Sequence, residues 1–107
     1  MIVVTAADVS GYCIKETLGL VRGSSVRARH FGSDIAAHLR NLAGGEVREY
    51  TKILAEAREQ AIDRMVEEAQ ALDADAVVVV RFQTSEVMQG AAEMLCYGTA
   101  VKLEALG

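Results

Sequence analysis

EVREYTKILAEAREQAIDRMVEEAQALDADAVVVV, residues 46–80, is the stretch that decides the fold. In it, Tyr50, Ile53, Leu54, Ala57, Ala61, Met65, Ala69 and Leu72 recur at the 3.6-residue period of an α-helix with one apolar stripe. No Gly or Pro interrupts residues 46–75, and Glu46 and Glu49 lie where the positive end of the helix dipole favours a carboxylate. The stripe is largely alanine, so the helix can lie close to whatever it covers, and a sheet is the expected partner. Leu72-Asp73-Ala74-Asp75 is then a short connection. Ala76-Val77-Val78-Val79-Val80 follows as a β-branched run, which reads as a strand covered on both faces.

Outward toward the C-terminus, alternation places Arg81 and Gln83 on one strand face and Phe82 and Thr84 on the other. Gln89-Gly90-Ala91-Ala92 turns the chain. A last strand, about Met94–Leu103, sends Leu95, Tyr97, Val101 and Leu103 one way and Met94, Cys96, Gly98, Ala100 and Lys102 the other. The second face is small and flat, and it is expected to meet another sheet or subunit closely. Toward the N-terminus, Ile2–Ala6 reads as a strand and Asp8-Val9-Ser10-Gly11 as a turn. Tyr12 and Ile14 then alternate with Cys13 and Lys15. Leu18–Gly23 is extended, Gly23-Ser24-Ser25 reads as a turn or bulge, and Val26–Arg29 continues the strand. Ser33 as N-cap, Asp34 in the first turn and Ile35, Leu39 and Leu42 at helical spacing predict a short helix over 34–43, ended by Gly44-Gly45. The prediction is one α+β domain over residues 1–107: a small mixed β-sheet with one short and one long α-helix packed on it.

The chain has 107 residues, so there is no room for a second domain. It carries 11 Lys+Arg against 15 Asp+Glu, and this acidic balance argues against nucleic acid as a partner. The longest apolar run is far short of the ~20 residues that span a bilayer, so no membrane segment is expected. The N-terminus lacks the basic and apolar regions of a signal peptide, which places the protein in the cytoplasm. Cys13 and Cys96 lack CxxC spacing and read as free thiols. Mean hydropathy is +0.20, high for so short a chain, and the apolar stock is mostly Ala and Val. A small domain cannot hide that much apolar surface alone, so self-association is expected.

Gly44-Gly45, Tyr50, Ala57-Arg58, Ala61, Ala69, the run Ala71-Leu72-Asp73-Ala74-Asp75-Ala76-Val77 and Gly98-Thr99-Ala100-Val101 resemble the YbjQ-like family over nearly the whole chain. Gly11, Gly19 and Gly23 fit the same pattern. That family is also catalogued as a heavy-metal-binding domain and has no settled function. The resemblance implies a β-rich α+β, dodecin-like subunit assembled into a ring, a homo-pentamer; composition alone gives no subunit number. The family has Gly where Asp73 stands, and Asp enters the left-handed region at modest cost, so the turn is expected to survive. The family motif holds no Cys or His cluster, so its metal label falls on no particular residue.

Five chemistries compete with a purely structural reading. A metal site could draw on Cys13, Cys96 and His30, with Cys13 and Cys96 sharing a site across a sheet or subunit boundary. The ligands are scattered, however, whereas structural zinc wants four in paired short spacings. A divalent or heavy metal is therefore the alternative, and no cofactor is the first expectation. A thiol-dependent enzyme needs Cys13 or Cys96 beside His30 or His38 and an oxyanion donor, and no local motif supplies one. Gly44-Gly45 lacks both the P-loop Lys and the three-glycine dinucleotide spacing. Arg22, Arg27 and Arg29 near His30 form a basic cluster that is either a polar strand or an anion site. Glu56, Glu59, Asp63 and Glu67 line the outer helix face, which is either a solvated face, with Lys52–Glu56 and Arg64–Glu68 pairs relieving the repulsion, or a surface for a divalent ion or a basic partner. Tyr50 and Arg58 match the family motif, the first as a packing residue near the Gly44-Gly45 turn, the second paired to a carboxylate. The expected protein is a non-catalytic homo-oligomer, structural or small-ligand-binding.

Overall fold

The computed structural model describes residues 1–28, 45–88 and 91–107. The elements are β1 (Ile2–Val3), β2 (Tyr12–Ala28), α1 (Gly45–Ala71), β3 (Ala76–Met88) and β4 (Ala91–Ala105). They build one four-stranded sheet of order β1-β3-β4-β2. β1 runs parallel to β3, while β2 and β3 both run antiparallel to β4. The α+β class and mixed sheet are as expected. The predicted short helix over 34–43 lies outside the described residues.

The long helix is laid down as its period demands. Ala57, Ala61, Met65 and Ala69 are buried at successive i,i+4 positions and pack with Val21 of β2, Val77 and Val80 of β3, and Met94, Cys96 and Ala100 of β4. Leu72 falls outside this stripe and is 44% exposed, because the helix ends at Ala71 and the chain turns away. The turn passes through Asp73 at φ 60°, the left-handed conformation for which glycine is the easiest occupant. Lys102 Nζ donates to the Asp73 carbonyl oxygen at 2.8 Å. The Leu103 amide donates to Asp75 Oδ2 at 2.8 Å, clamping the turn to β4.

Gly23 is neither turn nor bulge. β2 is a single strand through Gly23, Ser24 and Ser25, paired in register with Cys96, Leu95 and Met94. Its irregularities fall earlier, between Ile14 and Glu16 and between Thr17 and Gly19. Gly23 is there because the helix backbone lies directly on it: a Cβ at this position would run into the Ala61 carbonyl oxygen and the Met65 nitrogen. Beside it, Ser25 is buried and donates to Gln60 Oε1 at 2.8 Å, so the one buried polar side chain among the described residues is satisfied by the helix.

The valine run contains a break that periodicity does not reveal. β3 slips register between Val78 and Arg81, and Val79 sits at φ 53° with its side chain 37% exposed. A β-branched residue rarely adopts a positive φ. The amides of Val79 and Val80 are held by the carbonyls of Ala6 and Val4, at 2.9 and 3.1 Å. The extra residue lets Val77 and Val80 both face the helix although three positions separate them.

The small face of β4 is covered by this chain's own helix, not by another sheet or subunit. Ala100 is fully buried in the helix–sheet core. A Cβ at Gly98 would lie 2.7 Å from Val77 Cγ1 and 3.0 Å from the Val78 carbonyl oxygen, so the close approach is to the neighbouring strand. On the opposite face, Ala76, Val78 and Val101 are covered by Ile2, Val4, Val9 and Leu103. The regular strand expected over Ile2–Ala6 shrinks to Ile2–Val3, with the rest bonded irregularly to the β3 bulge. The molecule is long, 55 × 23 × 16 Å, with a radius of gyration of 17.0 Å. A compact domain of this length has about 13 Å.

Candidate functional site

The sulfur atoms come first, because two of the proposed chemistries need them. Both cysteines are free, Cys13 exposed and Cys96 buried. Cys13 pairs with Glu104 and Cys96 with Gly23, far apart along the β2–β4 ladder. At about 3.4 Å per residue this puts them on the order of 27 Å apart, so one chain cannot share a metal between them. His30 and His38 lie outside the described residues. What the fold does bring together is Cys96 and Met65, with Cys96 Sγ 3.5 Å from Met65 Sδ under the helix. No group of three or more His, Cys, Asp and Glu side chains able to hold a metal occurs among the described residues. The donors present are thus one thiol and one thioether, short of the four of a structural zinc site. Burial pushes the Cys96 thiol up from 9.0, the opposite of what a nucleophilic thiolate requires.

The family-pattern residues are mostly framework. Gly45 opens α1, and Tyr50 lies within it. Gly44 is outside the described residues. Ala57 is buried against the sheet, whereas Arg58 is exposed and makes no ion pair among the described residues. Ala74 packs on the core, Ala76 is buried and Asp75 is the clamp already described. Thr99 is half-buried, opposite Leu20 and Val78; Gly98 and Ala100 are packing positions. Arg64 does not pair with Glu68 as expected. Its Nη1 donates to the Ser24 carbonyl oxygen, covering a backbone acceptor of the edge strand. Glu59, Asp63 and Glu67 are exposed along the helix. A shallow depression of about 480 Å³ lies beside them, lined by Lys52, Glu56 and Gln60 among others.

Two features of the sheet stand out as surfaces able to meet a partner. The first is its edges. Among the described residues, β2 pairs only with β4, and the outer edge of β3 has no backbone partner beyond Val80, where Ala6 and Val4 cease to hold it. Backbone donors and acceptors on such edges are open to pairing with another strand. Leu20 and Val26 on β2 are 64% and 56% exposed, and Phe82 on β3 is exposed as well. The second is the sheet face away from the helix. Beyond the residues that cover Val78, this face begins with a row across three strands: Arg22 on β2, Tyr97 on β4 and Arg81 on β3, each paired with Tyr97 in the ladder. Directly paired residues share a face. Arg81 Nη1 donates to the Thr5 and Val80 carbonyls at 3.0 and 2.9 Å. Of the basic cluster expected around His30, only Arg22 has a described side chain. Arg27 is placed by its backbone pairing with Ala92. Sequence reasoning missed Arg81 and Tyr97 as a pair with Arg22. The available signal was an arginine directly after the valine run and a lone tyrosine in a strand of small residues.

Comparison with known proteins agrees with this architecture. The YbjQ family model, described as "Putative heavy-metal-binding", matches residues 1–104. A UPF0145 protein of Thermosipho africanus is 55% identical over 104 residues, covering 97% of this chain and 96% of its own. Another from Methanosarcina acetivorans is 57% identical over 103 residues, covering 96% and 97%. A crystal structure of a protein of unknown function of the DUF74 family from Pediococcus pentosaceus superposes with a TM-score of 0.67 at 18% identity, covering 97% of this chain and 98% of that one. None of these relatives' descriptions indicates catalysis. No helix among the described residues is long and apolar enough to cross a membrane. On the match of the family model to nearly its full length, the chain belongs to the YbjQ family.

Proposed function

We propose that this protein is the subunit of a self-associating, non-catalytic assembly in a reducing compartment, the cytoplasm, in which the open edge of β2 pairs with the open edge of β3 from a second copy. The observation that carries this reading is that, among the described residues, β2 and the part of β3 beyond Val80 are left without a strand neighbour on opposite sides of one sheet. The exposed Leu20, Val26 and Phe82 support it, as does a radius of gyration of 17.0 Å against the ~13 Å of a compact chain. Two different edges joined head to tail form a heterologous contact, which closes into a ring when the rotation per subunit allows it and otherwise extends as a filament. A homo-pentamer is the ring that the family resemblance implies. Free thiols in both cysteine positions fit a reducing environment. Light scattering on the eluting protein tests this: a discrete species several times 11.5 kDa supports the reading, and an 11.5 kDa species at every concentration refutes it.

A second reading, soft-metal binding, has one observation in its favour, the 3.5 Å approach of Cys96 Sγ to Met65 Sδ. A thiol beside a thioether is a donor pair that selects soft ions such as Cu(I). Elemental analysis of purified protein, repeated on Cys96→Ala, tests it: stoichiometric metal lost in the variant supports it, and metal-free wild type refutes it.

A further inference from the structure

We propose that α1 of one copy roofs β3 of the next, so that Phe82 of the second copy is buried beneath Arg64 at the outer edge of β2. This contact rests on the edge-pairing reading above and adds to it a face, a direction and a level. The helix backbone lies directly on β2, the outermost strand, because a Cβ at Gly23 would run into the Ala61 carbonyl oxygen and the Met65 nitrogen. A helix with its side chains is about 10–12 Å wide and strands lie about 4.8 Å apart, so α1 overhangs the sheet edge by roughly one strand. Arg64 and Glu68 stand on that overhang; with Arg22, Gly23 and Ser24 among others they line a depression of about 520 Å³ at the edge. The opposite edge is the reverse. Of the three long strands, β3 touches α1 least. Phe82 lies on the helix side of the sheet, since it pairs with buried Cys96, yet it is 42% exposed. One edge has a roof without a strand, and the other has a strand without a roof.

Level, direction and hydrogen-bond phase agree with this fit. Gly23 and Phe82 both pair with Cys96, so they lie at one height in the sheet and on one face. A closed ring of upright strands has no shift along them, which sets Phe82 of the second copy beside Gly23, under the overhang. β2 and β3 each run antiparallel to β4, hence in the same direction, and a rotation that repeats the subunit edge to edge keeps that direction, so the new pair is parallel. On β2 the Ser24 carbonyl points off the edge, where Arg64 reaches it, so the outward backbone groups there are those of Arg22 and Ser24. On β3 the Val80 amide points outward to the Val4 carbonyl, so the groups of Phe82 and Thr84 point outward as well. In a parallel ladder an outward residue bonds to the two residues flanking the one it faces. Phe82 facing Gly23 meets that condition: its amide reaches the Arg22 carbonyl, and its carbonyl receives the Ser24 amide. The Thr84 amide then takes the Ser24 carbonyl over from Arg64, and the released guanidinium lies over the Phe82 ring.

Cysteine cross-linking of the full chain tests the contact, in a Cys13→Ser background that leaves only buried Cys96. Arg64 Cβ lies 2.8 Å from the position of a Gly23 Cβ, and the added strand is about 4.8 Å beyond β2. The substitutions Arg64→Cys and Phe82→Cys therefore bring two thiols within disulfide reach between copies. Within one chain Phe82 lies two strands to the other side of Gly23, about 10 Å away, outside the roughly 4 Å between Cβ atoms that a disulfide needs. Both positions are exposed, so circular dichroism should show the double variant folded. After oxidation with diamide it should run on non-reducing gels at multiples of the chain mass. Glu59→Cys with Phe82→Cys, which moves the helix thiol to an exposed position on the outer face, should stay at one chain mass. Light scattering of the wild type separates this inference from the reading beneath it. Wild type at several chain masses, with no inter-chain bond in the folded Arg64→Cys, Phe82→Cys protein or with equal bonding from Glu59→Cys, overturns the roof and leaves edge pairing standing. Wild type at one chain mass overturns both.

Discussion

Gly23→Ala is the sharpest perturbation of the fold, because two effects of opposite sign compete there. Glycine inside a strand is ordinarily worse than alanine by about 0.5–1 kcal/mol, so the substitution should stabilise β2 in isolation. The structure sets a larger opposing effect. The new methyl would meet the Ala61 carbonyl oxygen and the Met65 nitrogen and lie 2.8 Å from Arg64 Cβ. Comfortable separations are about 3.5–4.0 Å, so the helix must lift by roughly an ångström. The obstacle is helix backbone, so rotamer changes cannot relieve it. Lifting the helix loosens Ala57, Ala61, Met65 and Ala69 from the sheet and stretches the Ser25–Gln60 bond, 2.8 Å at rest. Overpacking costs about 1–3 kcal/mol, and a clash against backbone belongs at the upper end. After subtracting the strand gain, the net loss is about 2 kcal/mol, a fall in Tm on the order of 8–16 °C for a domain of this size. Thermal unfolding by circular dichroism at matched protein concentration reads it directly. A Gly23→Ala protein that melts at or above wild type would refute the close helix–strand approach.

Further perturbations probe other parts of the account. Ala100→Glu buries a carboxylate in the helix–sheet core, where Ala100 is 0% exposed, so the variant should lose its cooperative melt rather than yield a folded smaller species. Asp73→Gly relieves a left-handed residue, φ 60°, and loses only an exposed contact to Lys102, so stability should rise by up to about 1 kcal/mol in denaturant titration. Cys96 has a folded pKa above its ordinary 9.0, so above that pH the unfolded chain gives up a proton that the folded one keeps. Its contribution is complete below pH 9.0 and is lost as pH climbs toward the folded value; stability measured across this range should fall more steeply in wild type than in Cys96→Ala.

The helix was legible because its stripe repeats at one period from Tyr50 to Ala69 of a 27-residue helix, and the strands because β-branched residues cluster between turn signals. What periodicity hides is anything that depends on the partner across the sheet. Gly23 carries a turn signal in sequence, yet it marks the place where a helix backbone rests on a strand. Val79 belongs to an unbroken valine run, yet Ala6 and Val4 hold its bulge from outside the strand. The flat face of β4 could have met a subunit or a helix; only the crossing of α1 decides it. Asp73 is the opposite case, because the left-handed turn follows from the helix ending before a short connection. At the candidate site, Arg22 belonged to a visible basic cluster. Arg81 and Tyr97 joined it only through the β2–β4 and β3–β4 registers, which no local pattern encodes.

In the proposed assembly the open sheet edges are closed by further copies of the chain. Sedimentation velocity over a wide concentration range tests that directly. A single discrete boundary at about five times the 11.5 kDa chain mass, persisting on dilution, is the predicted result. A boundary at 11.5 kDa with the high frictional ratio of a 55 × 23 × 16 Å particle, at all concentrations, would contradict it.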